Sequence, residues 1–534
     1  MKKTNNIKLI AFFGILAVLA SVVSCSESIL DQKNNNAVST GNFGSSLNQI
    51  ESAVNGAFHP ITGTFFWGRI VHTGAMLRSD EFNVVPFDNN TTMSTLTGGP
   101  GNGRWALEPW QELYKSISRC NNAIINTPDT FTPDEINPLL GQAYFLRAFN
   151  YWYLLNLYGN VPAGANGGIP LITSLPDLDN LLVEQTAADA IWAQIIADLE
   201  MAEKMLPPSW TGENIGRPTS GAATALKGKS YLYMEEWKMA HETLDDLVGK
   251  YSLLPANQFA DNFGTTNENN SESVFELQYL GVANFVWGTD IPGTGTMGNF
   301  HIDYAPPSKS PDKSHFINPW LKKLYEDNGD TARRNETLAY NYAGATGYGG
   351  APFNVDMAED ITIANDAGVE PIFSKKYSGM DLGTRGEVDF LGTNVGNNWR
   401  IIRYADVLLM LAEALNEDNQ TGMAIPYLNE VRQRPGSGLA ATAAISKDDV
   451  KQAIIEERAM ELAGEGHRFF DLVRWGLADD YMGATSLHVT NGSQTNHPKS
   501  LANGVFESGK HELVWIPNSE RDANPNLKQN PGYN

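Results

Sequence analysis

Residues 219–248 read TSGAATALKGKSYLYMEEWKMAHETLDDLV, two helical runs joined around Glu235-Glu236. In a 34-residue frame, Gly228, Tyr231, Trp237, Ala240 and Leu244 fall at positions 8, 11, 17, 20 and 24. That is the tetratricopeptide pattern, in which small residues let two helices cross closely and large ones fill the groove between them. A second match lies far downstream. Leu408, Ala412, Leu415, Ala424, Leu428 and Val431 occupy positions 4, 8, 11, 20, 24 and 27 of the same frame. Roughly 200 residues separate the two matches, which excludes a tandem solenoid and predicts a helical scaffold interrupted by a long insertion. Unrelated helical hairpins are the plainer alternative.

Outward from this hairpin the helical signal continues. Residues 105–125 place Trp110, Leu113, Ile117, Ala123 and Ile124 at helical spacing. Residues 133–158 carry acids near their start and stop at Gly159 and Pro162, and residues 186–206 form an amphipathic run closed by Pro207-Pro208. Trp110, Trp152, Trp192, Trp237 and Trp475 lie in helical patterns and are expected in the core. Residues 259–398 change character: Gly, Asn, Pro, Ser and Thr abound, short apolar runs such as VFELQY (274–279) suggest strands, and GATGYGG (344–350) and GTNVGNN (392–398) are turn-rich. The expected fold is mainly α, with tetratricopeptide-like helix pairs and a loop-rich insertion containing short β-strands. The expected segments are 1–24 (signal), 25–48 (tether), 49–258 (N-terminal helical region), 259–398 (insertion) and 399–534 (C-terminal helical region). Loops on a rigid frame commonly carry binding function, so the insertion is read as the ligand face.

The N-terminus sets the compartment. Lys2, Lys3 and Lys8 precede an uncharged run, LIAFFGILAVLASVV, at 9–23, followed by Ser24-Cys25. About 15 apolar residues are too few to span a bilayer comfortably, and a basic segment before such a run marks an export signal. Apolar residues, a small residue and then a cysteine look like a bacterial lipobox: Ser24 gives a peptidase access and the Cys25 thiol takes the lipid. A plain secretory signal that happens to contain a cysteine is the alternative. Acylation at Cys25 anchors a protein to a membrane without a spanning helix, at ~0.8 kcal/mol per buried CH₂. Residues 26–48 read as a polar tether.

Composition removes several classes. With 534 residues, 42% hydrophobic and 19% charged, the chain is globular rather than fibrous or disordered. The net charge of −23 becomes −26 once the three signal lysines are removed, which argues against general nucleic-acid binding. Cys25 and Cys120 are the only cysteines, too few for a disulfide framework or a cysteine metal site. Gly293, Gly295 and Gly298 satisfy G-x-G-x-x-G, but Pro306-Pro307 breaks up the sequence where a phosphate-cradling helix would have to follow. There is no nucleophile elbow, H-E-x-x-H, P-loop or EF-hand loop. Glu465, His467, Arg468 and Asp471 could suggest an acid–base cluster. Their neighbours Glu456, Glu457, Arg458 and Glu461 on adjacent turns instead predict interlocked structural ion pairs. Acid clusters such as Asp245-Asp246 lack the alternating oxygen ligands of a Ca²⁺ loop, so no cofactor or metal is indicated.

Twelve Trp are the informative excess. Trp67, Trp105, Trp287 and Trp399 sit in polar, Gly-rich company. Flat aromatic faces take the C–H patches of sugar rings while nearby Asn, Asp and Arg bond the hydroxyls, so this mixture points to carbohydrate. The candidate stacking residues are Trp67, Trp105, Trp287 and Tyr304. The competing reading is that each ring plugs its own loop against the scaffold.

The residues also carry a resemblance. The segment QAYFLRAFNYWYLLNLYGNVP (142–162) is similar to the SusD/RagB signature, here through Arg147, Ala148, Phe149, Tyr151, Leu154, Tyr158, Gly159, Val161 and Pro162. WQELYKSISRCNNAI (110–124), GRPTSGAATALKGKSYLY (216–233), NNSESVFELQY (269–279), RIIRYADVLLMLAEALN (400–416), EERAMELAGEGHRFFDLVR (456–474) and IPNSERDANPNLKQNPGY (516–533) resemble further family segments, in order and from the lipobox to the last residues. The resemblance implies a lipid-anchored, non-catalytic outer-membrane protein facing the cell exterior, with a helical scaffold and a loop-rich ligand face. It would sit as a lid on a TonB-dependent, SusC-like barrel transporter, binding glycans and delivering them for import. The family's ligand contacts lie in variable loops, so none transfers onto this chain. A peptide-binding lid and a surface glycoside hydrolase are the alternatives, the second motivated only by the 61 acidic residues.

Overall fold

A computed structural model describes residues 44, 46–84, 92–93, 95–101, 103–159, 168–175, 181–279, 304, 306–308, 315–347, 351–367, 369–378, 396–483 and 504–533. The signal segment, Cys25, most of the tether, Val161, Pro162, Trp287 and the glycines at 293–298 lie outside them. Among the described residues no helix is long and apolar enough to cross a membrane.

The N-terminal half is an array of helices: α1 (Leu47–Thr62), α2 (Ile70–Arg78), α3 (Gly103–Asn126), α4 (Pro133–Leu154), α5 (Ala188–Met205), α6 (Ser220–Tyr233) and α7 (Trp237–Asp245). The sequence sets the start of α4. Thr132 and Glu135 form a capping box, with the Thr132 N–H donating to Glu135 Oε2 at 3.0 Å, and Pro133 takes the first helical position, where its missing N–H leaves nothing unpaired. Apart from Tyr144, every residue of α4 from Gly141 onward is buried, which makes it the central helix. Arg147 locks its neighbours: the guanidinium donates to Asp198 on α5 at 2.8 and 2.6 Å and to Asn121 Oδ1 on α3 at 2.8 Å. A bidentate pair of this kind fixes orientation as well as distance. Trp110, Trp152 and Trp192 are buried as expected, whereas Trp237 and Trp475 are half-buried.

Both tetratricopeptide-like hairpins form. In the first, a Cβ added to Gly228 would stand 2.5 Å from Leu244 Cδ2, so the crossing of α6 and α7 needs a glycine at that position. The second pairs α12 (Tyr404–Glu417) with α13 (Thr421–Arg432). Each turn contains one left-handed residue, Glu235 at φ 58° and Asn419 at φ 62°. Although distant in sequence, the hairpins are neighbours in space, because α7 packs along α12. The two ends of the insertion are tied by the antiparallel strands β4 (Ser273–Leu277) and β8 (Trp399–Arg403), which align Ser273 with Arg403 and Leu277 with Trp399.

The insertion is more ordered than its Gly and Pro content suggested. It holds the helices α8 (Pro319–Asp327), α9 (Thr331–Thr337), α10 (Phe353–Asp356) and α11 (Ala358–Ala367). Phe316, Phe353, Met357 and Phe373 form a small core of their own there. Its strand β5 (His315–Ile317) pairs antiparallel with β1 (Phe82–Val84) of the N-terminal half. Asn318 Nδ2 and the Trp320 indole N–H donate to the Asp80 carbonyl at 3.0 and 2.6 Å, fastening the same junction. The C-terminal region adds α14 (Lys447–Glu461), α15 (Arg468–Arg474), α16 (Ala478–Met482) and α17 (Asn518–Ala523). Its tail returns to the end of α4, where the Val514 N–H donates to Leu157 O at 2.7 Å and Asn530 Nδ2 to Tyr158 O at 3.1 Å.

A buried ion-pair network clamps the insertion to these helices. Arg403 reaches Glu272 at 2.5 Å, Glu461 at 2.9 Å and Glu465 at 2.8 Å. Arg434 pairs with Glu272 and Glu461, Arg333 bridges Asp330, Glu457 and Glu461, and Lys376 joins Glu465 at 2.8 Å. The sequence expected interlocked ion pairs on adjacent helical turns. They are structural, but the partners come from distant segments: Arg458 binds Asp406 and Asp471, and Arg468 binds Asp80. Charges this deep must be matched, since burial of an unpaired ion is expensive.

Candidate ligand-binding face

The turn between α1 and α2 folds tightly, with the Gly68 N–H donating to Gly63 O at 2.9 Å, and a Cβ on Gly68 would stand 2.7 Å from that same oxygen. Phe66 and Trp67 are thereby turned inward. Trp67 meets Tyr153 at 5.3 Å, Trp399 at 5.9 Å and His72 at 5.9 Å between ring centroids. Trp399 stacks on Tyr377 at 3.9 Å and 13° and on His72 at 4.3 Å and 20°, which occupies both faces of its indole. Tyr304 closes the cluster, edge-on to Trp399 at 5.7 Å and to Phe82 at 5.9 Å.

Two of the candidate stacking residues, Trp67 and Tyr304, are therefore brought together, but as core. Trp67 is 3%, Trp105 5% and Tyr304 2% exposed. Trp105 sits at the start of α3 in the main core, and a Cβ on Gly74 of α2 would make ordinary contact with its ring. None of the three offers a bare face to a sugar, which corrects their assignment as stacking residues. Their neighbours in space are other aromatic rings, and local Gly-rich composition did not reveal which way each side chain turns. Trp287, the fourth, lies outside the described residues.

What the cluster does is join segments far apart in sequence: His72 of α2, Tyr153 of α4, Tyr304, Tyr377 and Trp399 all meet within it. Beside the rings, Asn398 ties neighbouring segments together. Its N–H donates to Glu268 Oε1 at 2.7 Å, its amide donates to Glu276 Oε2 at 3.0 Å and Gln278 Oε1 at 2.8 Å, and it accepts from the Tyr279 N–H at 2.8 Å. Arg400 lies alongside, 3.1 Å from Glu276. Burial pushes Glu268 up to about 7, against the opposing pull of the Asn398 N–H and Arg400. His72 and Tyr377 were missed in the sequence, where neither stands in a recognisable pattern; Tyr377, at φ 55°, holds a left-handed backbone that only the fold reveals.

The groups most suggestive of acid–base chemistry are tied down. Glu465 and Asp471 are buried between cations that hold both carboxyls below the usual carboxylate range: Arg403 and Lys376 for the first, Arg458 and Arg474 for the second. Burial and the adjacent Lys229 hold His467 down at about 4, so it is neutral at neutral pH. Among the described residues no group of three or more His, Cys, Asp or Glu is placed to hold a metal ion.

Comparison with known proteins agrees with this architecture. The SusD family model matches residues 391–533, and a SusD-like model described as starch-binding, associating with outer membrane, matches residues 72–232. A SusD-like protein of Formosa agariphila is 26% identical over 541 residues, covering 97% of this chain and 98% of its own. The starch-binding protein SusD of Bacteroides thetaiotaomicron is 22% identical, covering 77% of this chain and 76% of its own. Among solved structures, a SusD superfamily protein from Bacteroides vulgatus superposes with a TM-score of 0.74 at 25% identity, covering 92% of this chain and all of the other. A laminarin-binding SusD-like protein gives a TM-score of 0.71 at 25% identity, covering 92% of this chain and 99% of its own. With matches at both ends of the chain, full-length relatives and a shared helical scaffold, the chain is similar to SusD/RagB proteins along its length.

Proposed function

We propose that this protein captures oligo- or polysaccharide at the outer membrane, held there by a lipid on Cys25 and facing the cell exterior, and passes it uncleaved to a SusC-like, TonB-dependent barrel transporter. The observation that carries the reading is the rigid aromatic foundation. Stacked rings and the Asn398 hydrogen bonds hold segments from distant parts of the chain in fixed register, on a scaffold whose most suspect acids are consumed by ion pairs. A receptor needs a preorganised frame and no reactive centre, and preorganisation lowers the ordering cost of binding. Relatives named for starch and laminarin binding support a glycan as the ligand class, and the outer-membrane description of one matching family model supports the location.

The test is affinity electrophoresis and calorimetry of the purified chain against starch, laminarin and other neutral glycans, with oligopeptides as the competing class. Saturable binding to a glycan without release of reducing ends supports the reading. Binding of peptides alone contradicts it. Palmitate labelling that is abolished by Cys25→Ala tests the anchor, and recovery of a barrel protein with the chain from detergent-solubilised membranes tests the transporter.

A further inference from the structure

Away from the aromatic foundation, a groove of about 730 Å³ runs between the linker joining α5 to α6, the turn after α7 and the segment leading into β4. That volume lies within the range of small-ligand sites, roughly 300–1,000 Å³. Its walls combine aromatic rings with amides. Trp210 is half-buried, and its indole N–H donates to the Pro218 carbonyl at 2.8 Å, so the ring is held at a fixed angle with part of its surface open. Tyr251 stands on another wall of the groove. A Cβ on Gly221 would come within 2.3 Å of its hydroxyl, so the phenol closes on α6 only because that residue is glycine.

The rim is built at some conformational cost. Asn269 holds φ 51°, a left-handed backbone that costs on the order of 1 kcal/mol in a non-glycine residue. Its N–H donates to Glu276 Oε1 at 3.0 Å, and its amide exchanges two hydrogen bonds with Gln278, at 3.0 and 3.1 Å. The side chain is exposed, and the exchange uses one N–H and one oxygen lone pair, leaving a second donor and a second acceptor on the same amide. A donor and an acceptor so close together match two adjacent hydroxyls.

The charges narrow the ligand. Glu276, the carboxylate on the wall, is buried against Arg400, and Arg217 is spent on Glu51 at 2.7 Å and Gln142 at 3.0 Å. What remains, apart from the exposed Lys250, is uncharged: one fixed indole, a phenol, amides and hydroxyls. We infer that this groove is a saccharide site separate from the aromatic foundation, taking a short stretch of neutral glycan with a sugar ring against Trp210 and vicinal hydroxyls on Asn269. The inference rests on the proposed glycan-binding function and adds a place and residues to it.

The test uses the full chain and two variants, with maltoheptaose, laminarihexaose, cellohexaose and xylohexaose as probes and calorimetry as the readout. Trp210→Ala weakens binding of the recognised glycan by about tenfold or more. Asn269→Gly weakens it severalfold while leaving the melting temperature unchanged or higher, because glycine relieves the left-handed backbone. A purely structural role for Asn269 would not separate these two readouts. If the native chain binds a glycan and both variants keep its Kd, the groove is not the site, while the proposed function stands. If the native chain binds none of the four, the proposed function and this inference fall together.

Discussion

Trp399 and Tyr377 lie face to face, 3.9 Å between ring centroids and 13° from parallel, one at the start of β8 and the other just after the short strand Phe373–Ser374. The pair joins the end of the insertion to a strand of the scaffold, and His72 covers the opposite face of the indole. Truncating Trp399 would open a cavity that three aromatic neighbours cannot collapse into. Trp399→Ala should cost about 3–5 kcal/mol of unfolding free energy in urea and should also weaken glycan binding, although the residue is buried. Tyr377→Phe keeps the stack and removes only the hydroxyl that accepts the Arg400 N–H at 3.2 Å, so it should cost about 1 kcal/mol.

The tetratricopeptide-like crossing makes a second prediction. Gly228→Ala places a methyl 2.5 Å from the Leu244 side chain and should destabilise by about 1–3 kcal/mol through overpacking. Combined with Leu244→Ala, the penalty should be clearly less than additive. A double-mutant cycle on urea midpoints checks this, and strict additivity would mean that the two side chains do not meet.

The SusD/RagB scaffold was largely legible. Gly228 and Leu244 stood at their repeat positions, acids marked the start of the helical run at 133–158, and the acids and arginines of 456–474 announced ion pairs. The rest depended on tertiary geometry. Trp67 and Trp105 sit in polar, Gly-rich sequence and look like surface rings, as does Tyr304 ahead of two prolines, yet a turn as tight as Gly63–Gly68 points its aromatic residues inward. Composition describes a segment's neighbours in sequence, whereas burial depends on its neighbours in space. Trp210, half-buried on the groove wall, was passed over although its setting, PPSWTGENIG, is of the same Gly-rich kind.

Removing one member of the buried network should cost more than any surface pair. Glu461 faces Arg333, Arg403 and Arg434, and those cations hold its carboxyl far below the usual range. Glu461→Gln leaves three guanidinium groups short of a counter-charge and should destabilise by about 3–5 kcal/mol. Because the folded carboxyl is depressed, its contribution is present above the unfolded value near 4.5 and is lost only as pH falls well below it. Urea midpoints of the native chain and the variant should therefore converge under strongly acidic conditions.

Glu81 titrates in the opposite sense. Burial and the neighbouring Asp80 carboxylate push it up to about 8, against Arg468 and the Gly464 N–H. With the folded value above the unfolded one, its contribution is fully present below about pH 4.5 and is lost as pH rises through about 8, a change on the order of a few kcal/mol. Glu81→Gln cannot ionise, so its stability should fall less between pH 6 and 9. Parallel losses in both proteins would show that other groups govern this window.

Uncleaved capture of sugar is tested most directly by one measurement: calorimetric titration of the purified chain with a panel of neutral glycans, followed by assay of the same samples for new reducing ends. Saturable heat with at least one glycan and an unchanged reducing-end count is the predicted result. Absence of binding to every glycan, or chain ends that accumulate with time, would contradict it.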